Sequence, residues 1–173
     1  MSTLQPDYAV VLNPNARRVS SRLHQRIGEL VNPDHIYVTE DQSAAEDAIG
    51  EIVDRGYSTV FAGGGDGTVH QLINGIKGTT EVPRLGVLPL GTGNAVAEIV
   101  SSGDPMGDLR TFVTNPSTDL HALNLCEAEG TRFAFGGVGV DASVLSDFNR
   151  LRGRFSGGMM SRAAHSLGGY FAA

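Results

Sequence analysis

Four glycines in the stretch Gly63-Gly64-Gly65-Asp66-Gly67-Thr68 constrain this chain more than any other feature, because of what flanks them. An apolar, β-branched run from Ser58 to Ala62 leads in, and a helix-like run from Val69 to Ile76 leads out. Strand, glycine turn and helix in that order form a turn that can bring backbone N–H groups to an anion at the positive end of a helix. Glycines suit such a turn because a Cβ would block the approach or forbid positive φ. The stretch lacks the Gly-Lys-Ser/Thr ending of a P-loop, and His70 stands where a dinucleotide-binding turn has its third glycine. Asp66 is the odd member, since a carboxylate repels phosphate. It faces a divalent cation, accepts a proton, or caps the following helix through the Val69 N–H.

A second turn of the same kind follows a second strand. Arg84 to Leu88 reads as the strand, Pro89-Leu90-Gly91-Thr92-Gly93-Asn94 as the turn, and Ala95 to Val100 as the helix. Thr92 is placed to hydrogen-bond a phosphate oxygen, and Asn94 to cap the helix.

The rest of the first two-thirds alternates strand and helix signals. Tyr8 to Leu12 is a buried-strand run ended by Asn13-Pro14-Asn15, and Arg18 to Val31 has helical spacing. His35 to Thr39 reads as a strand. Ser43-Ala-Ala-Glu46 reads as a capping box opening a helix that stops near Gly56. Apolar strands alternating with helices predict an α/β fold, a Rossmann-like parallel sheet with helices on both faces. Ligands of such sheets bind beyond the carboxyl ends of the strands, where Asn13, Thr39 and both glycine turns fall.

The pattern changes after Pro116. Asp119 to Cys126 alternates as a half-buried strand, Glu127 to Gly130 gives a turn, and Thr131 to Phe135 returns as a hairpin. The expected organisation is therefore a domain over residues 1–117 and the start of an incomplete antiparallel β domain over 118–173. A lone hairpin leaves two unpaired edges, which predicts a homo-oligomer.

A net charge of −6 argues against a nucleic-acid partner. The single cysteine, Cys126, suits a reducing cytoplasm and is expected as a small buried hydrophobe. The opening residues carry neither a basic n-region nor an apolar h-region, so no signal peptide is expected, and the sequence holds no apolar run near the ~20 residues needed to span a bilayer. The expected location is cytoplasmic, with at most peripheral membrane contact through Arg150, Arg152, Arg154 and Arg162.

Together the two turns resemble the catalytic domain of the diacylglycerol kinase family, which includes bacterial lipid kinases and the sphingosine and ceramide kinases. Asn13-Pro14 matches its first turn, Gly64 to Thr68 with Asn74-Gly75 its GGDGT…NG pattern, and Pro89 to Asn94 its proline-led turn. Gly137-Val-Gly139-Val-Asp141-Ala142 is similar to its glycine-rich strand end. The resemblance implies transfer of a phosphoryl group from ATP, with Mg2+, to a lipid hydroxyl. By position it implies a nucleotide site of Asn13, Pro14, Asn15, Thr39, Gly64, Gly65, Asp66, Gly67, Thr68, Gly91, Thr92, Gly93 and Asn94. Asp66 would be the proton acceptor or metal-side carboxylate, and Asp141 either a contact to the lipid substrate or a helix cap. The chain departs from the family at His70-Gln71, where Asn-Glu is usual, at Ala95, and at Asn15-Ala16-Arg17, where Ser-Gly is usual. An NAD kinase, which shares GGDGT, and a non-catalytic nucleotide-binding fragment are the alternatives.

Overall fold

The computed structural model describes residues 7–116 and 120–136. Asp141, the four arginines beyond it and the expected boundary at 117/118 lie outside the described residues.

A four-stranded parallel sheet of order β2-β1-β3-β4 forms the centre, from β1 (Tyr8–Leu12), β2 (Ile36–Val38), β3 (Thr59–Gly64) and β4 (Arg84–Pro89). Alternation along each strand divides the side chains between two cores. Ala9, Val11, Val60, Ala62 and Val87 face α2 (Gln42–Arg55), α3 (Asp66–Gly75) and α4 (Ala95–Ile99), packing on Ile49, Ile52, Leu72 and Val96. Val10, Leu12, Phe61 and Leu88 face the other way, onto Ile27 of α1 (Ser21–Gly28) and Leu109 of α5 (Pro105–Thr114). The expected fold, helices on both faces of a parallel sheet, is the one found.

The helix ends differ from the sequence reading in instructive ways. The cap of α2 is Asp41, whose side chain accepts from Ala44 N–H at 2.9 Å; Ser43 lies inside the helix, so the expected capping box does not form. At the other end Gly56 takes the left-handed conformation, φ 67°, that stops the helix as expected. Helix α5 was not anticipated, although Asp104-Pro105 is a strong start signal: Asp104 accepts from Met106 N–H, and Pro105 opens the helix.

The second half is corrected more. Residues 120–125 form no strand. The hairpin pairs only β5 (Cys126–Ala128) with β6 (Thr131–Phe133), in the register Cys126↔Phe133, Glu127↔Arg132 and Ala128↔Thr131. Its turn is two residues, Glu129 and Gly130, both at positive φ, the geometry that matches strand twist in short hairpins. Cys126 is exposed rather than buried, because β5 presents all three of its residues to solvent. Among the described residues no helix is long and apolar enough to cross a membrane.

Candidate nucleotide site

Strand order places the topological switch between β1 and β3, since the chain leaves β1 for β2 on one side and for β3 on the other. Backbone hydrogen bonds extend past the strand ends and tie the turns to one another. Asn13 N–H donates to the Gly63 carbonyl at 2.9 Å, Thr39 N–H to that of Leu12 at 3.0 Å, and Leu90 N–H to that of Gly64 at 2.9 Å. The turn after β1 is closed by Asn15 N–H on Asn13 Oδ1, 2.9 Å, and anchored by Asn15 Nδ2 on the Glu40 carbonyl, 2.7 Å. Asn13 Nδ2 reaches the Thr68 hydroxyl at 3.4 Å, linking that turn to the first turn of α3.

The glycines serve mainly to let the two turns touch. None in either turn has positive φ; among the described residues only Gly56, Gly78 and Gly130 do. A Cβ on Gly63 would lie 2.9 Å from the Val11 carbonyl oxygen, and one on Gly64 would lie 2.7 Å from Thr68 Cβ. A Cβ on Gly91 would overlap Gly65 Cα and sit 3.0 Å from both Gly65 N and the Gly93 carbonyl oxygen. Gly67 alone of the first turn's glycines faces open space, with nothing within 4 Å of where its Cβ would be. Close approach is thus to neighbouring backbone at Gly63, Gly65 and Gly91, to the Thr68 and Asp66 side chains at Gly64 and Gly93, and to open space only at Gly67.

Asp66 sits at the first residue of α3, yet it does not cap that helix. Val69 N–H bonds to the Gly65 carbonyl, and Gly65, the capping residue, has no side chain to contribute. The Asp66 carboxylate turns to the second turn instead: Oδ1 accepts from Val96 N–H at 3.0 Å and Oδ2 from Ala95 N–H at 3.2 Å. It caps α4 from across the site and places negative charge at that helix's positive end. Asn94, expected to be that cap, makes no capping bond. Its amide closes the turn on itself, with Oδ1 accepting from Gly91 N–H at 3.0 Å and Nδ2 donating to the Gly91 carbonyl at 3.3 Å.

Above the turns opens a cleft of about 1200 Å3. Of the expected site residues, Asn13, Asn15, Gly65, Gly67, Thr68, Gly91 and Thr92 line it. Pro14, Thr39, Gly64, Asp66, Gly93 and Asn94 do not. Arg17, His70 and Gln71 also face the cleft. The sequence reading missed its second wall, formed by Gln42, Glu46, Ile49, Gly50 and Val53 of α2. Their spacing of three and four residues is one helical stripe. The hairpin tip, Gly130 and Thr131, completes the rim.

The first N–H groups of an α-helix have no partner within the helix, and Gly67 stands in the first turn of α3 with no side chain between its backbone and the cleft. That arrangement suits phosphate oxygens. Among the described residues no group of three His, Cys, Asp or Glu side chains could hold a metal ion, and each oxygen of Asp66 already accepts a backbone N–H. Each Asp66 oxygen has a second lone pair, so a cation held mainly by phosphate oxygens and water fits beside it, although the described residues hold no all-protein metal cage.

Comparison with known proteins agrees with this geometry. The family model for the diacylglycerol kinase catalytic domain matches residues 7–125. A protein named as a YegS-like lipid kinase, from Alcanivorax borkumensis, is 27% identical over 111 residues, which are 63% of this chain and 37% of that one. Diacylglycerol kinase 2 of Arabidopsis thaliana is 27% identical over 154 residues, covering 75% of this chain and 22% of its own. A crystal structure of a diacylglycerol kinase from Bacillus anthracis superposes with a TM-score of 0.59 at 22% identity, over 74% of this chain and 48% of that one, which establishes the shared fold. The chain spans less than half the length of each of these proteins. With a family match over more than half of its residues, a stretch that includes both glycine turns, the chain belongs to the diacylglycerol kinase catalytic-domain family.

Proposed function

We propose that this chain is the nucleotide-binding part of an ATP-dependent lipid kinase. The observation that carries the proposal is the locked pair of glycine turns at one sheet edge, with Gly67 and Thr92 open to the cleft and family membership behind them. The α3 N-terminus and Thr92 hold the β- and γ-phosphates, and Arg17 adds a positive charge at the cleft wall. The hydroxyl oxygen of a lipid attacks the γ-phosphorus and gives up its proton to solvent water, the bond to the β-phosphate oxygen breaks with its electron pair, and ADP leaves. Positioning and charge neutralisation are what the protein contributes to such a transfer. Mg2+ would accompany the nucleotide and offset charge on its phosphates. Asp141, outside the described residues, is our candidate for the contact to the acceptor lipid.

Titration calorimetry with ATP and Mg2+ tests the binding half. The chain binds ATP, and Arg17→Ala weakens the affinity by about tenfold, the effect of losing one charge-assisted phosphate contact. Absence of ATP binding by the unaltered chain overturns the reading. Transfer of label from γ-labelled ATP to diacylglycerol or a sphingoid base, and not to NAD, is the expected result for the activity. Binding without transfer to any lipid would leave a nucleotide-binding module that needs the remaining length of its relatives. Self-association through the outer edge of β5 belongs to the same proposal, since β5 pairs only with β6 among the described residues. A monomer by sedimentation at micromolar concentration removes that part.

A further inference from the structure

The two-residue turn of the hairpin dictates which backbone groups are left over. Ala128 and Thr131, next to the turn, form the hydrogen-bonded pair, so Glu127 and Arg132 form the following non-hydrogen-bonded pair. The N–H and C=O of Arg132 therefore point away from β5, onto the outer edge of β6. One side chain meets both. Arg132 N–H donates to Asn74 Oδ1 at 2.8 Å, and Asn74 Nδ2 donates to the Arg132 carbonyl at 2.9 Å. A carboxamide offers one acceptor and a donor much as a peptide group does, so Asn74 stands in for one residue of a third strand. This covers one of the two edges expected to be unpaired.

Lys77, just past the end of α3, holds the hairpin a second time. Its Nζ donates to the Gly130 carbonyl at 2.7 Å and pairs with Glu127 at 3.0 Å. Hydrogen bonds from Arg132 and then Lys77 keep the Glu127 carboxyl below its ordinary value. The neighbouring Gly75 leans on α2, where a Cβ would come 2.6 Å from Ile49 Cδ1. So the C-terminal turn of α3 is packed on the cleft's second wall and bonded to the hairpin whose tip forms the rim.

We propose that Asn74 is a positioning residue: its amide pairing with the Arg132 backbone makes α3 a single strut between the phosphate turn at one end and the hairpin rim of the cleft at the other. Ten residues of α-helix span about 15 Å, so both ends of the strut reach the same cleft. The kinetic consequence rests on the kinase reading above, while the structural latch does not.

Amide exchange of the Arg132 N–H in the 173-residue chain reads the latch directly, because Asn74 is its acceptor. In Asn74→Ala the protection of that one amide falls by about tenfold, and in the isosteric Asn74→Asp, which has no donor for the Arg132 carbonyl, by about threefold. Lys77→Met, which leaves the pair with Asn74 in place, retains it at the level of the unaltered chain. ATP affinity stays within about twofold in Asn74→Ala while the phosphoryl-transfer rate drops by about tenfold, the signature of misplacement rather than lost binding. Unchanged Arg132 exchange in both Asn74 variants overturns the latch. If the unaltered chain transfers no phosphoryl group, the kinase reading fails by itself and the exchange result still decides the latch.

Discussion

Replacing Gly91 by alanine lowers the melting temperature by about 6–12 °C, the expected result of an overpacking cost of about 3 kcal/mol in a chain of this size. The new Cβ meets Gly65 Cα, Gly65 N and the Gly93 carbonyl oxygen, all of them backbone. No flexible side-chain end can swing aside, so the two turns must move apart. That motion strains the Leu90 N–H bond to Gly64 and the Arg18 N–H bond to Leu90, both 2.9 Å. It also displaces Thr92 from the cleft that it lines with Gly67, and ATP binding is lost along with the stability. Gly67→Ala is the informative contrast. Nothing lies within 4 Å of its Cβ position, and alanine is the better helix former by about 1 kcal/mol. Stability is therefore kept or slightly raised, while the methyl group enters the cleft and weakens ATP by about tenfold. Thermal melts and calorimetry on the two variants check this; an equal loss of stability in both would mean that the turns do not touch as described.

This contrast also marks what the sequence could reveal. Apolar strands alternating with helical spacing made the sheet, its two covered faces and the location of the cleft readable, because burial on both faces forces near-continuous apolar runs such as Tyr8–Leu12 and Thr59–Ala62. The glycines could be seen but their reason could not. A single-chain pattern shows that a Cβ is unwelcome at Gly91, and only the fold shows that Gly65 is what it would strike. Helix α5 went unread although Asp104-Pro105 opens it and Met106, Leu109, Phe112 and Val113 recur at helical spacing on the core. The hairpin was readable as a hairpin. Its register and the exposure of Cys126 depended on whether the turn took two residues or four. Asn74 was noted only as part of a motif, and its partner at Arg132, 58 residues away, has no local signature.

Asp66 belongs with the long-range cases, and its substitution is the second large effect. The two backbone N–H groups it holds belong to Ala95 and Val96, at 3.2 and 3.0 Å. Hydrogen bonds to a charged group are worth about 1.5–3 kcal/mol each, so Asp66→Ala costs about 3 kcal/mol after water partly replaces the lost acceptor. Asparagine keeps one oxygen for one N–H but sets an amide NH2 against the other, so Asp66→Asn falls between, at about 1–2 kcal/mol. Loss of the cap frees α4 and the turn that Asn94 closes, and ATP affinity declines in the same order: aspartate, asparagine, alanine. A proton acceptor behaves otherwise. If Asp66 acts only on the hydroxyl being phosphorylated, Asp66→Asn abolishes transfer while melting temperature and ATP affinity stay those of the unaltered chain. The two roles therefore separate on a single variant measured three ways. The structure predicts that stability and affinity fall together in Asp66→Asn, because its carboxylate joins the two glycine turns whether or not a substrate is present.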